Sequence, residues 1–154
     1  MSQSDKVASL ISSLETNIAV LSYAQNIATA IVSGPANHCA ATLSALLVFF
    51  GIYPYGAFSG SGDLQPWVPT LALDLQNRQG WSQIVLGAAI ESGDVGVVLL
   101  SSGIHHIYLV VDATDQLQPV IADNQNPNLH IRTVGGDPAQ NWSPTSYFLR
   151  APSV

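Results

Sequence analysis

The chain has 154 residues, 47% of them apolar, and a formal charge of −6 with only four basic side chains. That is enough apolar material for one domain over 1–154 with a buried core and no covalent staples. A single cysteine excludes an internal disulfide and a multi-thiolate zinc site, the scattered Lys6, Arg78, Arg132 and Arg150 make no electropositive track for nucleic acid, and no apolar run reaches the roughly 18 to 20 residues that span a bilayer.

In chain order, Ser4 or Asp5 is placed to cap a helix whose apolar positions Val7, Leu10, Ile11, Leu14, Ile18 and Leu21 recur at helical spacing. The reading carries that helix on through Tyr23 to Val32. Ser33-Gly34-Pro35 breaks it, Asn37 is a plausible cap, and a second helix runs over 38–50 with Gly51 as its stop. On this helix Cys39, Leu43, Leu46 and Phe50 fall on one face, which predicts that the thiol tops the stripe packed on the core. The Gly, Pro, Ser and aromatic content of 53–69 reads as a cleft-lining loop carrying Tyr53, Tyr55, Phe58 and Trp67. A short helix over 68–78 stops at Gly80, and Trp81 opens a sheet-forming half.

There, Glu91-Ser92-Gly93-Asp94 is a turn ahead of a strand over 95–100. A second strand begins at His106 and runs to Val111, a third covers 119–123, and a last one covers 145–150. Apolar runs joined by polar turns predict antiparallel hairpins. The fold class expected is therefore α+β, with N-terminal helices packed on a small antiparallel sheet.

Three residues carry the chemistry. A thiol at a helix N-terminus meets unsatisfied amides and about half a positive charge, which favour thiolate and oxyanion. A nucleophile needs a base, and the base needs a polar partner that fixes its tautomer. In a hairpin the start of one strand lies beside the end of the next, so His106 and Asp123 are expected to be neighbours. If the Cys39 helix packs on that sheet, the three converge. Against this stands the ordinary role of each residue: a lone cysteine is among the most buried residue types, and aspartate favours strand ends. Strand alternation sends His105 and His106 to opposite faces, so only one of them can serve as base. His38 flanks the thiol as a cap or substrate contact, and His130 reads as a solvated loop residue. No metal site and no cofactor are expected, because the histidines lack a helical i, i+4 pair.

The segment Asn37-His38-Cys39-Ala40-Ala41-Thr42-Leu43-Ser44-Ala45-Leu46, followed by Gly51-Ile52, resembles the nucleophile helix of the papain-like NlpC/P60 and CHAP amidases. Ser92-Gly93-Asp94-Val95-Gly96-Val97-Val98 is similar to their glycine-aspartate strand, and Gly80-Trp81 ahead of that turn also fits the resemblance. His106-Ile107-Tyr108-Leu109-Val110-Val111 is similar to their histidine strand, and Val120-Ile121-Ala122-Asp123-Asn124-Gln125 to the strand that bears their third catalytic residue. The resemblance covers about residues 20 to 126 and rests on order and spacing. It implies a papain-like fold, with Cys39 as nucleophile, His106 as base and then acid, and Asp123 as orienter.

The resemblance also implies an amide bond as target, in a peptidoglycan stem peptide or cross-link, and an immunity or inhibitor protein as a possible partner. Ala40 stands where many members have serine, and Tyr108 where they have a small residue, which would crowd the site floor if it faced inward. Asn124 or Gln125 remain alternatives for the third contact. The first residues lack a basic end and a cleavable small-residue site, so the expectation is synthesis in the cytoplasm with delivery by a non-Sec route or by lysis. Two other functions stay open: an idle module that grips a peptide or glycan with the loop around Trp67, and a thiol acyltransferase or deamidase acting on a protein.

Overall fold

Ser2 and Asp5 start the first helix as a reciprocal cap, the Ser2 hydroxyl accepting the Asp5 amide at 3.2 Å and the Asp5 carboxylate accepting the Ser2 amide at 2.9 Å. The cap therefore lies ahead of the expected Ser4 or Asp5, since Asp5 is the far member of the box. Helix α1 (Gln3–Thr16) buries Val7, Leu10, Ile11 and Leu14. The single helix expected to reach Val32 is in fact two: α2 (Ala19–Ile31) turns away from α1 by 104°. The break falls at Asn17, which is extended (φ −147°, ψ 100°) and whose Oδ1 accepts the Ala19 amide at 3.1 Å. A short amide side chain competes with the helical ladder in this way.

The computed structural model describes residues 1–32, 38–53 and 64–154. The break at Ser33-Gly34-Pro35, the Asn37 cap and most of the aromatic loop, including Tyr55 and Phe58, lie outside these residues. Helix α3 (His38–Phe49) is the centre of the molecule: every residue from Cys39 through Leu47 is buried. A one-faced stripe was the expectation. The small side chains of Ala40, Ala41, Ser44 and Ala45 instead let other elements close on several sides, so α3 touches α2, β3 and α4 (Val68–Asn77). Beyond Gly51 (φ 67°), Tyr53 is buried and donates its hydroxyl to Asp74 Oδ2 at 3.0 Å. It is a tie between α3 and α4 rather than a cleft residue.

Among the described residues four helices pack on a six-stranded antiparallel sheet, an α+β architecture. The strands are β1 (Ser82–Ile84), β2 (Val95–Val98), β3 (His106–Asp112), β4 (Val120–Ala122), β5 (His130–Ile131) and β6 (Tyr147–Arg150), in the order β1-β6-β2-β3-β4-β5. Strands β2 and β3 sit mid-sheet and are covered on both sides, which explains their unbroken apolar runs. Val95, Val97, Ile107, Leu109, Val111 and Leu149 join the helical core, whereas Val98, Tyr108, Val110, Ile121 and Phe148 form a second cluster. Strand β5 was not expected; two residues are too short to show an alternating pattern. Among the described residues no single helix is long and apolar enough to cross a membrane.

One packing contact fixes the middle of the sheet. Gly96 pairs with Tyr108, and a Cβ on Gly96 would overlap Tyr108 Cζ. The ring fills the place of the missing side chain, with its hydroxyl sharing a hydrogen bond with Thr145 Oγ1 at 2.6 Å. We therefore expect Gly96→Ala to destabilise the protein by about 1–3 kcal/mol through overpacking. In a Tyr108→Leu background the same change should cost clearly less, as read by urea denaturation of the four proteins of the cycle.

Candidate functional site

Cys39 is the second residue of α3 and is 7% exposed. The backbone N–H groups of Ile107, Ala40 and Cys39 itself favour the thiolate form of its sulfur. The Ile107 amide comes from the start of β3, one peptide unit beyond His106. Burial pushes the thiol above its ordinary 9.0, the three amides pull the other way without prevailing, and the negative charge of Asp123 adds to the rise. The helix N-terminus is thus present as the sequence suggests, but desolvation is the stronger force on this sulfur.

The histidine and the carboxylate meet directly. His106 opens β3 and Asp123 follows the last residue of β4, and antiparallel pairing of Leu109 with Ala122 brings the two ends together. His106 Nε2 is 2.9 Å from Asp123 Oδ2. Neither Asn124 nor Gln125 takes that place: Asn124 Oδ1 is buried without a partner among the described residues, and Gln125 contributes its backbone amide, which donates to Asp123 Oδ1 at 2.9 Å. A second imidazole reaches the same carboxylate, with His130 Nε2 2.9 Å from Oδ1. The expectation of a solvated His130 is therefore wrong. Its side chain is only 13% exposed, because β5 pairs with β4 through Ile121 and His130 and carries the ring in beside Asp123.

The Asp123 side chain is fully buried. Burial alone would raise its pKa, but hydrogen bonds from His106 and His130 and the charge those rings can carry outweigh it, holding the carboxyl well below its ordinary 3.8. An ionised carboxylate only accepts, so each ring presents a proton on Nε2. In its neutral form His106 then has its lone pair on Nδ1. Among the described residues no imidazole nitrogen is hydrogen-bonded to the Cys39 sulfur; the nitrogen of His106 left over from Asp123 is Nδ1.

Other groups hold this arrangement. Gln25 of α2 donates both amide hydrogens to the turn, to Asp123 O at 2.7 Å and Asn126 O at 2.8 Å. Arg132 is 2% exposed and lies between the Tyr108 and Trp142 rings, 5.2 and 5.3 Å from their centroids. Its Nη2 donates to Ser143 O at 3.3 Å. Tyr108 stacks beside His106 with centroids 6.2 Å apart, so it backs the imidazole rather than filling the space beneath the helix. Sequence reasoning missed Gln25 because it acts on residues far along the chain, and missed His130 and Arg132 because a two-residue strand and the loop after it carry no periodic signal.

The remaining histidines are placed elsewhere. His105 precedes β3, and its Nδ1 accepts the Leu100 amide at 3.0 Å, which engages it in the β2–β3 turn. His38 Nε2 lies 3.1 Å from Val32 O, tying the start of α3 to the end of α2. Among the described residues no three His, Cys, Asp or Glu side chains are grouped to hold a metal ion.

Asp123→Asn should destabilise the fold by about 3–5 kcal/mol at pH 7, since it breaks a buried charged contact and turns an amide NH₂ toward an imidazole N–H. A carboxyl whose pKa is depressed on folding contributes stability that is complete above 3.8 and is lost as pH falls through the folded value. The melting-temperature gap between the native protein and Asp123→Asn should therefore be full at neutral pH and narrow progressively as the pH is taken below 3.8. Compared with known proteins, the chain matches no family model, no curated protein and no solved structure.

Proposed function

We propose that this protein is a cysteine amidase with a papain-like fold, in which Cys39 is the nucleophile, His106 the base and Asp123 the residue that orients it. The observation that carries this reading is the 2.9 Å contact of His106 Nε2 with the buried Asp123 carboxylate, in a chain where the backbone N–H of the next residue, Ile107, favours the Cys39 thiolate. The Cys39 proton would pass to His106 Nδ1 as sulfur attacks an amide carbonyl. Amides at the start of α3 would stabilise the oxyanion, and the imidazolium would return the proton to the leaving amine. Water, activated by the same ring, would then hydrolyse the thioester. The substrate favoured by the resemblance of the sequence is a peptidoglycan stem peptide or cross-link. That target implies delivery to the cell wall and a possible inhibitor protein in the producing cell.

The test is digestion of purified sacculi. New muropeptides are expected from the native protein, and Cys39→Ala should lower their formation by about four orders of magnitude or more. Failure of the native protein to release any would overturn the substrate assignment.

A second reading is favoured by the burial of Cys39 and the upward push on its thiol. In it the fold is a binding module without catalysis, gripping a peptide or glycan near Trp67, which is 55% exposed. Iodoacetamide separates the two without a substrate. If His106 serves the thiol as base, Cys39 should be alkylated at pH 7 and His106→Ala should slow the reaction about tenfold or more. Equal rates in the two proteins, or no labelling before unfolding, would support the binding module.

A further inference from the structure

The buried carboxylate of Asp123 has four acceptor lone pairs and three donors, and the donors are divided unequally between its oxygens. Oδ1 accepts the Gln125 amide at 2.9 Å and His130 Nε2–H at 2.9 Å, while Oδ2 accepts His106 Nε2–H at 2.9 Å. The Gln125 amide restrains Oδ1 from the carboxylate's own turn. A second donor on that same oxygen, from another strand, holds the carboxylate plane more tightly. The His130 ring is itself held: β5 pairs with β4 beside it, and Trp142 lies 6.0 Å away centroid to centroid.

We propose that His130 is a positioning residue: by occupying Asp123 Oδ1 it leaves Oδ2 to His106 alone and so holds the His106 ring in the orientation and tautomer with its lone pair on Nδ1. The catalytic consequence rests on the amidase reading above, in which Nδ1 receives the thiol proton, but the effect on the ring does not. His130 touches neither the thiol nor a substrate carbonyl in this scheme. It acts through Asp123.

The experiment compares the native protein with His130→Ala, His130→Gln and His130→Asn by ¹⁵N-resolved NMR of the His106 ring, at about pH 8.5 where an ordinary imidazole is neutral. The native ring should show a protonated Nε2 whose hydrogen exchanges slowly with water. In His130→Ala that exchange should speed up at least about tenfold, the effect of removing a charge-assisted hydrogen bond from the cluster, and the tautomers should mix. Glutamine can present its Nε2 near the place of the imidazole Nε2, so His130→Gln should restore slow exchange, whereas the shorter asparagine should not.

Should His130→Ala fail to fold, the contrast between glutamine and asparagine carries the test. Unchanged His106 signals in alanine or asparagine would overturn the proposal. So would failure of glutamine to differ from asparagine. Sacculus digestion and Cys39 alkylation are read in parallel. If the ring signals respond while no cleavage or labelling occurs in the native protein, the positioning role stands and the amidase reading falls. If cleavage occurs and the ring signals do not respond, the reverse holds.

Discussion

A fully buried carboxylate at the end of β4 is the constraint on which the rest depends. Asp123 joins three strands, accepting from His106 on β3 and from His130 on β5 while standing at the end of β4. It is tied to the helical layer as well, because Gln25 of α2 holds its carbonyl. An unpaired charge at this depth would cost several kcal/mol. The two imidazoles and the Gln125 amide offset that cost, and their number explains why the carboxyl stays ionised in spite of its burial. Edge strand β5 has only two residues, so its place in the sheet depends largely on side chains, and His130 is one of them.

The thiol experiences the opposite balance. Three backbone amides favour its thiolate, but burial prevails and keeps the resting group protonated. Arg132 is a buried cation. The chain has only four basic residues, and this one is spent in the interior between two aromatic rings, where its charge favours the anionic form of Asp123. A second, Arg150, is committed to Asp94, which it meets at 2.7 Å at the base of the Glu91–Asp94 turn.

The sequence was legible where a single local rule governs. The apolar runs at Val95 and His106 gave their strands, the helix over 38–50 was marked by Gly51, and antiparallel pairing was enough to place His106 beside Asp123. It was not legible where long-range contacts override local preference. The Asn17 break interrupts an apolar period that runs through it, and full enclosure of α3 follows from small residues whose neighbours no pattern names. His130 illustrates the same limit at the site: it sits in a two-residue strand after a polar turn, and only pairing with Ile121 takes it out of water. Asn124 and Gln125 were chemically equal candidates to Asp123, and the register of β4 separates them.

The glycine beneath the Tyr108 ring limits how this pair of positions can vary. Positions 96 and 108 share one fixed volume across the pair, so a bulkier residue at either demands a smaller one at the other. A branched residue at the first position with a small one at the second would fill the sheet as well as the present pair, so the two sites are free to drift only in concert.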